Sequence, residues 1–145
     1  MIIKDDAVIE FKIYYKGPDK KYDAFTESEL KLELKNAKMT EIEKEALKIL
    51  NVKMKELTWG MYNDFQEQAM VDDGSGTGNR YFNFKRYKEH RLKTLIAGWD
   101  ALDENNKPIP VSDKIIGRLA PSIAEAILRA YDEMAYLTDG EEKNL

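Results

Sequence analysis

AVIEFKIYYK, residues 7–16, places Ile9, Phe11, Ile13 and Tyr15 on one side at a period of two, with Glu10, Lys12 and Tyr14 between them. That alternation is the pattern of a β-strand. The glycine and proline of GPDK (17–20) then predict a turn. Two readings of ELKLELK (29–35) stay open. Leu30, Leu32 and Leu34 alternate with charges as in a partner strand, whereas Thr26 and Glu29 have the spacing of a helix capping box.

Downstream the period changes. From Thr40, with Glu43 as a second capping box, Ile42, Ala46, Ile49 and Leu50 fall on one helical face. LTWGMYNDFQEQAMV (57–71) predicts a helix capped by Thr58, with Met61, Tyr62, Phe65 and Ala69 on one side. The next predicted helix runs from about Asn83 to Trp99, burying Phe84, Tyr87, Leu92, Leu95, Ile96 and Trp99. DALDENNKPIPV (100–111) reads as a polar, acidic loop closed by a Pro-Ile-Pro step that cannot be helical. Ser112 caps a short helix, and Pro121 suits the first turn of a last one reaching Leu137, with Ile123, Ile127, Tyr131 and Met134 on its apolar face. TDGEEKNL (138–145) should fray. The expectation is an α+β fold, mostly α-helical: a short N-terminal β element followed by a bundle of about four to five helices. It forms one globular domain over 1–138, β-rich over 1–36 and helical over 40–138, with a flexible tail at 139–145.

The chain has 145 residues, is 43% hydrophobic and holds no cysteine. That length buries a core, and the missing cysteine excludes disulfides and thiolate metal sites. Met1–Lys12 has no apolar signal-type stretch and no run approaches a membrane span, so a cytoplasmic protein is expected. Net charge is −4, unevenly spread: Arg80–Lys93 holds six basic residues against Glu89, leaving −9 for the rest. Such asymmetry marks an anion-binding face.

VDDGSGTGNRYFNFK (71–85) carries Gly74, Gly76 and Gly78, the spacing of a phosphate cradle. A nucleotide loop needs Lys and then Ser or Thr after its last glycine, whereas Gly78 is followed by Asn79 and Arg80, and Asp72 and Asp73 would repel a phosphate. The stretch reads as a connector, and no cofactor is expected. RYFNFKRYKEHRLK (80–93) interleaves aromatics with cations, as a single-strand nucleic-acid binder does. Phe84 and Tyr87 share a helical face with Leu95, however, leaving Arg86, His90 and Lys93 as the outward stripe. An acidic protein partner, or the acidic surface of a second copy, is the expected occupant. His90 is the only histidine, and no nucleophile motif or metal-ligand spacing accompanies it, so no catalytic or metal residue is expected.

One order of elements is distinctive. Leu57-Thr58-Trp59-Gly60 opens a helix and a polar Gly/Asp loop follows; a helix ends in Trp99-Asp100; an acidic turn leads to Pro108-Ile109-Pro110-Val111; a helix pair with Leu119-Ala120-Pro121 closes the pattern. Over Leu57–Leu137 this resembles the tail assembly chaperones of long-tailed, siphovirus-type bacteriophages. The resemblance implies a largely helical, non-enzymatic protein that coats the tape measure protein during tail assembly and is absent from the finished particle. It also implies a frameshifted longer form that recruits tail tube subunits; Glu142-Lys143-Asn144 can be encoded with a slippery heptamer. Trp59, Met61, Tyr62 and Trp99 are the candidate covering groups. Two other readings stand beside it: a structural tail or virion component, and a nucleic-acid-binding accessory protein acting through 80–93.

Overall fold

A computed structural model describes residues 1–18 and 21–143, with side chains described as far as Ala135. The strand read at 7–16 forms as β1 (Val8–Lys16), and it is one of the four strands of the main sheet. It pairs antiparallel with β2 (Asp23–Thr26) on one side and β3 (Lys48–Lys55) on the other; β3 pairs in turn with β6 (Ile96–Trp99), giving the order β2-β1-β3-β6. Register sets the core face: Phe11 lies opposite Val52, Ile13 opposite Leu50, and Trp99 opposite Val52. Directly opposed residues point to the same side of a sheet, so these side chains meet the helices together. Glu10, Lys12, Asn51 and Lys53 alternate with them on the exposed face, the arrangement of an antiparallel sheet solvated on one side.

The capping-box reading of ELKLELK holds. Thr26 accepts the Glu29 N–H and Glu29 accepts the Thr26 N–H, starting α1 (Glu27–Lys35). Thr40 caps the short α2 (Glu41–Glu45), and Thr58 caps α3 (Trp59–Ala69). Asn83 caps α4 (Phe84–Leu95), and Ser112 caps α5 (Asp113–Ile116). Pro121 opens α6 (Pro121–Lys143). α6 lies on β1 and β2 and buries Ala126, Ile127, Ala130 and Tyr131. Each fully buried Ile or Leu contributes about 1.5–3 kcal/mol. Polar contacts fix its placement. Ser122 Oγ donates to the Tyr22 carbonyl at 2.7 Å, Tyr131 Oη donates to the Lys55 carbonyl at 3.0 Å, and Arg129 grips both oxygens of Glu29 at 3.0 and 3.1 Å.

α3 and α4 form an antiparallel pair, and the chain between them is a two-stranded ribbon, β4 (Met70–Asp72) with β5 (Arg80–Phe82). Phe65, Leu92 and Leu95 turn inward from this pair to the core. The glycine stretch is the tip of the ribbon, where Gly74, Gly76 and Gly78 all take φ near +77°, a region closed to most L-residues.

The mostly helical bundle expected from the sequence is therefore corrected. The fold is α+β, with a four-stranded antiparallel sheet and six helices among the described residues. The helix read onward from Thr40 ends at Glu45, and Leu50, Val52 and Met54 are buried at strand period in β3. Ile49 and Leu50 are adjacent apolar residues, so they extend a helical phase from Ile42 as readily as they begin a strand. The helix read from Asn83 to Trp99 likewise stops at Leu95, where the Ile96 backbone turns extended and begins β6. Isolated short strands are marginal, and these two depend on distant partners: β3 pairs with β1, and β6 pairs with β3. α6 is drawn to Lys143; of the flexible tail expected over 139–145, residues 144 and 145 lie outside the described residues. No helix among the described residues is long and apolar enough to cross a membrane.

Candidate partner-binding surface

The four apolar candidates separate into two pairs. Met61 and Trp99 pack against the core, and the Trp99 indole N–H donates to the Ile109 carbonyl at 2.7 Å. Trp59 and Tyr62 do not join it. Trp59 is 76% exposed and Tyr62 37%, and their rings stack at 5.8 Å between centroids, 15° from parallel. Asn63 and Gln66 follow at the i+4 and i+7 positions from Trp59, so this face of α3 is uncharged. It stands out on a chain in which 34% of residues are charged. Protein interfaces are enriched in Trp and Tyr and depleted of charge at their centres. The sequence reading named both rings and grouped Tyr62 with Phe65 and Ala69, three and seven residues further along the same helix; Asn63 and Gln66 it missed. The signal was the absence of charge at the 59, 62, 63, 66 spacing.

The basic candidates lie on α4 as predicted, but most of the surrounding charge is met within the chain. Arg80 pairs with Glu67 at 3.1 Å, Lys88 with Glu125 at 2.9 Å and Lys93 with Glu89 at 2.5 Å. Arg91, nearly fully buried, pairs with Asp132 and lies over the rings of Tyr87 and Tyr131 at 5.1 and 5.8 Å. His90 contacts Asp64 at 3.0 Å, with its ring against the edge of Phe65. The Glu89 carboxylate raises the Lys93 pKa by accepting its hydrogen bond. Lys85 and Arg86 are left without an ion pair among the described residues. Arg86, His90 and Lys93 do converge, on a small depression of about 180 Å³ shared with Gln68 and Glu89. Two free cations are a weak footprint for a phosphate backbone, whose binders neutralise several charges at once.

The glycine tip binds itself. Asp72 Oδ1 accepts the Gly74 N–H at 2.7 Å, Asp73 Oδ1 accepts the Ser75 N–H at 2.9 Å, and Ser75 Oγ accepts the Thr77 N–H at 3.3 Å. Bonds from Ser75 hold the Asp73 carboxyl below the usual carboxylate range. These donors are spent on the loop's own side chains, so a phosphate would find few to take. Among the described residues no group of three or more His, Asp or Glu is placed to hold a metal ion.

Two features escaped the sequence reading. Phe84, read as core, is 67% exposed and rests edge-on against Phe82. The loop after β6, read as a solvated acidic turn, forms one wall of a groove whose other wall is the α5–α6 link. No family model, no curated protein and no solved structure matches the chain.

Proposed function

We propose that this chain is a non-enzymatic binding protein of the tail assembly chaperone kind, which covers the apolar stripe of the tape measure helix with the Trp59–Tyr62 face of α3. The observation that carries the reading is the uncharged, exposed aromatic stack. A ring pair left outside the core, on a helix that buries Phe65 and Ala69, is a surface suited to a partner. A long amphipathic helix aggregates unless its apolar stripe is covered, and laying that stripe along an aromatic face removes it from water. The stretch that carries the chaperone resemblance, Leu57–Leu137, includes α3, α4, α5 and α6 as far as Leu137, so the aromatic face lies within it.

Mass spectrometry of purified virions tests the assembly role. A chaperone is absent from the particle or present only in traces, whereas a stoichiometric amount makes the chain a structural tail component. The gene's 3′ end gives a second test: a slippery run at Glu142–Asn144 with a shifted frame continuing past Leu145 supports the reading, and a neighbourhood without tail genes removes its basis.

A further inference from the structure

The turn after β6 and the α5–α6 link enclose an open groove of about 820 Å³, separate from the Trp59–Tyr62 face. Its apolar lining includes Trp99, Leu102, Pro108, Ile115 and Leu119, and Leu102 is 55% exposed. The walls are held in place without a ligand. Leu102 bridges to Pro108, the Ile109 N–H donates to the Ala101 carbonyl at 2.9 Å, and the Trp99 indole N–H ties the floor to Ile109. Asp103 Oδ1 accepts the N–H groups of Asn105 and Lys107 at 2.8 and 3.0 Å, which fixes the lip. A groove whose shape is already set loses little entropy on binding.

The two lips differ in charge. Glu104 stands on the turn and Arg118 on the opposite wall, and neither makes an ion pair among the described residues. We infer that the groove takes a short amphipathic helix of a protein partner, with its apolar stripe on Leu102 and Leu119, a cation of the helix facing Glu104 and an anion facing Arg118. An apolar groove takes the apolar stripe of such a helix, and the opposite charges select a stripe flanked by both signs. This deepens the reading of the chain as a protein-binding module, and it rests on that reading without depending on the Trp59–Tyr62 face.

The test uses the full chain carrying Trp59→Phe, so that Trp99 alone reports by fluorescence and the aromatic stack is weakened. The probes are two synthetic 18-residue helices, one with a Leu stripe flanked by Lys and Glu, the other with that stripe changed to Ser. The account expects a saturable change in Trp99 emission with the Leu helix and none with the Ser helix. It also expects at least tenfold weaker binding in Leu102→Asp, and, in Glu104→Lys, weaker binding of the Lys/Glu helix with a gain for an all-Glu one. Thermal unfolding of both variants identifies any loss of fold, and Glu104→Lys, at an exposed turn, decides the case if Leu102→Asp unfolds. No response of Trp99 to the Leu helix, equal binding of the Ser helix, or indifference to Glu104→Lys overturns the inference. Since the aromatic face is altered throughout, such a failure leaves the proposed function to its own tests.

Discussion

The Trp59 indole lies on the Tyr62 ring at 5.8 Å, one helical turn apart on α3, and the pair faces away from the core. Stacking of this kind contributes about 0.5–1.5 kcal/mol beyond area burial, yet it leaves most of the indole in water. Trp59→Ala should therefore change folding stability by no more than about 1 kcal/mol, while a partner seated on the face loses 2 kcal/mol or more of binding, roughly thirtyfold in affinity. Chemical denaturation and a binding titration on the same variant separate the two effects.

Arg91 makes the opposite prediction. Its guanidinium is inside, paired with Asp132 across the α4–α6 contact and stacked against Tyr87 and Tyr131. Arg91→Ala removes the ion pair and the packing of its stem, and the expected loss is about 3 kcal/mol. Arg91→Lys keeps the charge but not the planar contact and should recover only part of that loss. Urea unfolding monitored by circular dichroism measures both.

Glu29 should make stability depend on pH. Partial burial pushes its carboxyl upward, but hydrogen bonds from Arg129 and the Thr26 N–H outweigh this and hold the pKa below the ordinary 4.5. A carboxyl depressed in the folded state contributes stability that is present above the unfolded value and is lost as pH falls through the folded one. The stability gap between the native chain and Glu29→Gln should be constant near neutral pH and close progressively below about pH 4.5. A gap of unchanged size in acid would show that the Arg129 contact adds nothing through charge.

The ribbon tip should ignore nucleotides. Its N–H donors are turned onto Asp72, Asp73 and Ser75, and the two aspartates add negative charge. Millimolar ATP, with or without Mg²⁺, should leave the melting temperature unchanged. Gly76→Ala, at a φ of +76° with open space around it, should cost about 1–2 kcal/mol through backbone strain alone.

Local chemistry carried much of the secondary structure into view. The hydroxyls of Thr26, Thr40, Thr58 and Ser112 were readable as helix starts because a cap needs only its own next three residues. β1 was readable because its alternation is uninterrupted. β3 and β6 were not, since Leu50, Val52 and Met54 gain their meaning from Phe11 and Ile13 across the sheet, and Ile96–Trp99 continues a helical apolar phase without a break. The basic stripe of α4 was legible as charge, but its neutralisation was not: Glu125 and Asp132, the partners of Lys88 and Arg91, come from α6, far away in the sequence. The groove was hidden because its lining combines the turn after β6 with Ile115, Arg118 and Leu119, which only the folded chain brings together.

Co-expression with the tape measure protein tests the central claim most directly. The native chain should hold that protein soluble in a stable complex, and Trp59→Ser/Tyr62→Ser, with its own unfolding curve unchanged, should leave it in the insoluble fraction. A double variant that keeps the tape measure protein soluble as well as the native chain does, or a tape measure protein equally soluble on its own, would contradict the account.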